Sequence, residues 1–139
     1  MDMTCTKQLS VGNRTIDSAH KEILGIINGI VRTIMARDVV ALSEAFELLE
    51  NCLCTYFSVE ENIAQAVNFD FAQHRLAHEH LLKEFRRTKN ELVDRNGMWT
   101  KFEERGYIDS LKCGLVRHIK MDGEPLKIVL ETHFYDFNP

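Results

Sequence analysis

The sequence predicts an all-α protein, an up-down-up-down antiparallel four-helix bundle, hemmed by an aromatic C-terminal tail. Apolar residues recur at spacings of three and four, breakers are scarce, and short connections separate the segments. Only two prolines and seven glycines punctuate 139 residues, too few for a many-turned β fold. Hydrophobic residues make up 45% and charged residues 27%, the balance of a folded chain that is neither disordered nor embedded in a membrane. The length suits a single domain over residues 1–139, with the bundle at about 17–122 and the tail at 123–139.

The first segment, Asp17 to Arg37, follows a stripe of Ile16, Ile23, Ile27, Ile30 and Ile34. The second, Val40 to Val67, repeats it with Leu42, Phe46, Leu49, Leu53, Ile63 and Val67, and Asp38 is placed to cap it. The third begins at Asp70 as N-cap and runs towards Asp94 through Phe71, Leu81, Phe85 and Leu92, ending at Asn96-Gly97. The fourth is expected to start near Tyr107, after Gly106, and to carry Ile108, Leu111 and Leu115 until Gly123 and Pro125 stop it. In the tail, Ile128, Leu130 and Phe134 alternate like a strand, while Phe134, Tyr135 and Phe137 are suited to covering one end of the bundle. A homodimer or partner contact through residues 126–137 is the functional alternative.

Composition excludes several functions. The formal net charge is −4, from 17 basic and 21 acidic residues with no basic block, so nucleic acid is not an expected partner. The apolar runs are too short to span a bilayer, and the opening MDMTCTKQLS lacks the apolar core of a secretion signal. Cys5, Cys52, Cys54 and Cys113 lack the spacing of a zinc or redox motif; reduced, mostly buried thiols in a cytoplasmic protein are expected. No phosphate loop, nucleophile elbow or dinucleotide fingerprint occurs.

Polar residues interrupt the stripes. His20 falls between Ile16 and Ile23, and Tyr56 and Glu60 continue the row from Leu53 to Ile63. His74 and His78 lie between Phe71 and Leu81, and His118 and Asp122 extend the row from Leu115. Every segment therefore aims a metal-ligating group inward. The pairs His74/His78, His118/Asp122 and Tyr56/Glu60 are each four apart, so both members project from one helix face. A single core histidine ordinarily just bonds a neighbour, but an unpaired buried carboxylate costs several kcal/mol. Imidazoles and carboxylates converging in one bundle compensate one another best around a cation. Nitrogen and oxygen donors without inward thiolates suit iron, manganese or zinc. Four histidines and two carboxylates exceed the needs of one tetrahedral zinc, favouring a dinuclear site with iron as first choice. His80 lies off the stripe as a solvated residue, and His133 falls in the tail.

These residues resemble the hemerythrin family, especially its bacterial members. VGNRTIDSAHKEILGIIN (Val11–Asn28) is similar to the family's opening motif, with His20 at the first ligand position. TYFSVEENI (Thr55–Ile63) resembles the second motif, HRLAH (His74–His78) matches the third, and LVRHIKMD (Leu115–Asp122) resembles the fourth. The resemblance implies two iron ions with an oxo or hydroxo bridge. His74, His78 and His118 would hold one iron and His20 the other, with Glu60 and Asp122 bridging. In that family dioxygen binds at the iron with fewer protein ligands, and the protein keeps that open position dry.

Three positions depart from the pattern. Tyr56 stands where the family has a histidine ligand. It is open to binding as a phenolate, to hydrogen-bonding a metal-bound water, or to filling the core. Asp122 is four residues after His118, where the family usually spaces five, which leaves it a bridge, with Glu124 a poorer substitute. Gly114 stands where the family often has a tryptophan lining the ligand pocket. A helical glycine costs about 1 kcal/mol relative to alanine, so either close packing or a roomier pocket explains it. The expected pocket is lined by Ile23, Gly114 and Leu115. The functional expectation is a di-iron protein binding or sensing dioxygen or nitric oxide, with no catalytic residues of its own. The alternatives are a di-iron oxidase or peroxidase-like enzyme using the Tyr56-modified site, and a metal- or redox-responsive regulatory domain.

Overall fold

A computed structural model describes residues 14–122 together with 125, 126, 128 and 129, and among them it contains helices and no strand. Helix α1 spans Arg14–Ala36, α2 Val39–Ala66, α3 Ala72–Arg95 and α4 Lys101–Arg117; a π-helical turn, His118–Asp122, continues α4. Helix α2 packs against α1 and α3, and α4 packs against α1 and α3, which makes a four-helix bundle.

The helical spacing of the isoleucines explains the centre of the bundle. Ile23, Ile27, Ile30 and Ile34 of α1 are fully buried, as are Leu42, Leu49, Leu53 and Ile63 of α2. Leu92 of α3 and Leu111 and Leu115 of α4 complete the same apolar cluster. Each such side chain contributes roughly 1.5–3 kcal/mol by leaving water. No helix is long and apolar enough among the described residues to cross a membrane.

The helix ends follow local chemistry. Asp38 caps α2 by accepting a hydrogen bond from the Ala41 amide at 3.1 Å. Asp70 bonds the Ala72 amide at 3.1 Å, but Phe71 occupies the N-cap position of α3, one residue later than expected. Asn96 closes α3 in the left-handed conformation, φ 50° and ψ 46°, and Gly97 follows at φ 85°. That reversal presents the carbonyls of Gly97 and Trp99 to Arg37, whose Nη1 donates to them at 2.7 and 2.5 Å. The guanidinium also sits 5.4 Å from the Trp99 ring, tying the α1–α2 turn to the α3–α4 loop.

Helix α4 starts at Lys101, six residues before the expected Tyr107, and Gly106 lies inside it. The cause is a reciprocal capping box. The Thr100 hydroxyl accepts from the Glu103 amide at 3.0 Å, and the Glu103 carboxylate accepts from the Thr100 amide at 2.9 Å. At its end α4 passes into the π-helical turn, which closes at Asp122; Gly123 lies outside the described residues, and Pro125, expected as a stop, has helical backbone. Ile128, expected in an alternating strand-like tail, is helical too. Leu126 is buried in the core and Val129 packs against it, so this stretch faces the bundle with a period of three, not two. Phe134, Tyr135, Phe137, Leu130 and His133 lie outside the described residues.

The cysteines also depart from expectation: Cys52 is half-buried, but Cys54 and Cys113 are exposed on outward helix faces, and Cys5 lies outside the described residues.

The capping box sets a test. Thr100→Ala should cost about 1 kcal/mol of stability in urea unfolding, because it strips an N-terminal amide of its acceptor. Free-energy values equal within error for the two proteins would show that the cap carries no weight.

Candidate metal centre

The stripes deliver their polar members to one place. His20 of α1, Tyr56 and Glu60 of α2, His74 and His78 of α3, and His118 at the end of α4 are all buried, none more than 5% exposed. Four of them, Glu60, His74, His78 and His118, present ligand atoms that all lie within 4.8 Å of one another. Glu60 Oε1 touches His74 Nε2 and lies 3.1 Å from His78 Nε2, so one carboxylate oxygen faces both members of the His-x-x-x-His pair. The spacing explains this: residues four apart on α3 stack one turn above the other.

Two phenylalanines hold the imidazoles. Phe57 stacks on His78 with ring centroids 3.7 Å apart and planes 11° off parallel. Phe71 stacks on His74 at 4.8 Å and 23°. Neither was singled out as a site residue from sequence. Phe71 sits three residues before His74, a spacing that carries the signal; Phe57 offers none, because its contact crosses between helices.

His118 begins the π-helical turn. Single π turns concentrate at functional sites, where they re-aim side chains that a regular helix would direct elsewhere. His118 joins the cluster from that turn, its ring 5.0 Å from His78 and 5.7 Å from His74 by centroid. The backbone of Asp122 ends the turn, and its side chain lies outside the described residues.

His20 and Tyr56 form a distinct pair beside the four-residue cluster. His20 Nε2 and the Tyr56 hydroxyl are 2.6 Å apart, while His20 Nδ1 is buried with no hydrogen-bond partner among the described residues. Burial, and then the neighbouring Glu60 charge, push the Tyr56 pKa well above its ordinary value. Without a cation the phenol therefore keeps its proton and its bond to His20 Nε2, while His20 Nδ1 remains unmatched among the described residues.

Electrostatics separate the carboxylate from the rings. Burial alone would raise the Glu60 pKa, but hydrogen bonds to His74 and His78 outweigh it and hold the carboxyl well below its usual range. Burial pulls His78 below its ordinary value, against the pull of Glu60, and it lowers His20 to about 4. An ionised carboxylate thus lies 3.1 Å from His78, an imidazole that resists protonation. Such a set suits a cation that accepts nitrogen and oxygen donors, since deprotonated donors need no proton loss to ligate.

The residues expected to line a ligand pocket separate. Ile23 and Leu115 are fully buried in the core. Gly114 instead borders a cavity between α3 and α4, together with His118. A Cβ built on Gly114 would meet its nearest neighbour, Leu81 Cδ1, at 3.9 Å, so close helix packing does not require the glycine. His80 is exposed, at the rim of the same cavity.

Comparison with protein-family models, curated proteins and solved structures gives no match. The geometry of the site therefore carries its interpretation.

The metal-free protein should be acid-labile in a defined window. Below pH 6.5 an unfolded chain protonates His20, whereas the folded protein holds it neutral down to about 4. Protons then favour the unfolded state, so stability should fall from pH 6.5 to 4, by up to about 3 kcal/mol. Glu60 stays ionised across that window and opposes none of the loss. Urea unfolding of chelator-treated protein at several pH values measures the slope, and His20→Gln should reduce it, leaving the share of His78, which burial also lowers. A slope unchanged by His20→Gln would assign the acid lability elsewhere.

Proposed function

We propose that this protein is a hemerythrin-like non-heme iron protein that binds or senses dioxygen, or a related small ligand such as nitric oxide, within an up-down-up-down bundle. The observation that carries this reading is the buried cluster of Glu60, His74, His78 and His118, four nitrogen and oxygen donors gathered within 4.8 Å. Support comes also from motif order: the residues that resemble the family's ligands occur along the chain as His20, Tyr56-x-x-x-Glu60, His74-x-x-x-His78 and His118.

In this reading Glu60, His74, His78 and His118 would hold the first iron and His20 and Tyr56 the second, with Asp122 as a further ligand. Bound iron supplies a redox-active centre with an open coordination position for the small ligand. The protein does the rest. Glu60 neutralises part of the metal charge, and Phe57 and Phe71 fix the planes of His78 and His74. Burial of all six side chains excludes bulk water. Tyr56 is the control point, because it must release its proton to ligate, and that proton is held firmly by burial and by Glu60. Loading of the second position is accordingly coupled to proton release and favoured at higher pH.

Iron analysis after anaerobic reconstitution, with absorption spectra before and after air, tests the proposal. Two equivalents of iron and a band that bleaches and recovers as oxygen is removed and returned are expected. One equivalent would restrict the metal to the four-residue cluster and remove the second position. Less than half an equivalent, with helicity intact, would end the iron reading. Tyr56→Phe should lower iron content towards one equivalent and remove any long-wavelength phenolate band, whereas His74→Ala should abolish loading at the first position.

A further inference from the structure

The cavity between α3 and α4 encloses about 200 Å³ and is not explained by a diatomic ligand. An apolar cavity of about 150 Å³ already accepts benzene, so this volume matches a single ring with a substituent. Its walls are built for such a guest. Leu81, Phe85 and Leu111 are buried apolar side chains that line it, and Gly114 leaves open the space that any larger residue would fill. The inner wall includes His118, which also belongs to the four-residue cluster, so an occupant would lie against a candidate metal ligand.

The rim carries charge of a particular sign. Arg117 and His80 are exposed there, and Glu84 is the one carboxylate in the lining. Arg87, from the same helix as Glu84, pairs with it at 3.0 Å. Arg117, from α4, acts on the same carboxylate from across the rim, and His80 acts on it from its own helix. Glu91 also faces Arg87, and of the two guanidiniums only Arg117 borders the cavity. A guanidinium at the mouth of a recess whose mixed walls include buried Leu81, Phe85 and Leu111 favours a guest with an anionic head and an apolar body.

We propose that this cavity is a binding site for a small organic anion of single-ring size, such as an aromatic carboxylate, seated beside the metal centre with its body against Leu81, Phe85 and Leu111 and its head towards Arg117. The site goes beyond the small-ligand function proposed above. Its walls are complete without a metal ion, so binding is measurable in metal-free and iron-loaded protein alike.

Benzoate is the probe, titrated by calorimetry and by amide NMR shifts of the protein as purified and after chelation. Saturable one-to-one binding is expected, with shifts centred on Leu81, Phe85 and Gly114. Acetate, which carries the same charge without the ring, should bind at least tenfold more weakly. Gly114→Leu should fill the recess and weaken benzoate at least tenfold, while Gly114→Ala, whose Cβ finds ordinary contact distances, should weaken it less. Arg117→Gln should weaken benzoate severalfold and reduce its dependence on salt. Should Gly114→Leu fail to fold, Ala77→Leu fills the cavity from the α3 wall and gives the same readout. Absence of saturable binding, equal binding of acetate, or benzoate affinity unchanged by filling the cavity would each overturn the proposal. Iron content after reconstitution reports on the metal reading separately: loaded protein that ignores benzoate sinks only the cavity, and protein that takes up no iron on reconstitution yet binds benzoate sinks only the metal.

Discussion

Glu60 is an ionised carboxylate with 2% of its surface in contact with solvent, held in the middle of a helical bundle. A charge in that position persists only if neighbouring donors and opposite charge replace the water it has lost. Much of the lower architecture of the site follows from that need. His74 and His78 face the same carboxylate oxygen because α3 sets them one turn apart. His118 reaches the group from a π-helical turn, and Phe57 and Phe71 lock two of the rings by stacking. Neutral imidazoles offset only part of the cost. A cation would offset the remainder, and this is the physical basis for reading the group as a metal centre.

The isoleucine and leucine layers bear the burden of stability so that the site can be polar. Fully buried aliphatic residues of α1 and α2 run along the bundle, and the buried histidines and Glu60 interrupt that apolar core. Far along the chain from the ligands, Arg37 bonds the Gly97 and Trp99 carbonyls and covers the Trp99 ring, binding two connections together. Such a clamp limits sliding between helix pairs, and ligands borne on four different helices hold their relative positions only if the helices do not slide.

Tyr56 makes the two halves of the centre unequal. On one side, three imidazoles and an ionised carboxylate gather their donor atoms within 4.8 Å of one another. On the other, a phenol and an imidazole already satisfy each other at 2.6 Å. The first half has the chemistry of a cation site, whereas the second is a proton-holding pair. The cavity against His118 adds a third region, with Leu81, Phe85 and Leu111 on its walls and Arg117, His80 and Glu84 at its rim.

Periodicity determined much of this protein without further help. The four apolar stripes, the cap at Asp38, the reversal at Asn96-Gly97 and the inward aim of His20, Tyr56, Glu60, His74, His78 and His118 are all properties of residue spacing along a helix. Spacing is local, and a 3.6-residue repeat survives whatever the helix packs against. The start of α4 was legible too, in Thr100-x-x-Glu103, although Gly106 masked it: a glycine inside a helix costs less than a capping box and packed neighbours return. Ile128 departs from its expected strand-like setting for the opposite reason, since a short alternating run carries too little pattern to choose between a strand and a helical turn. Only the tertiary structure decided which inward groups meet. Four donors converge while His20 turns to Tyr56, Phe57 reaches His78 on another helix, and Gly114 opens a cavity instead of admitting a close neighbour. Those outcomes depend on the relative rotation and separation of whole helices, which no single helix's sequence pattern contains.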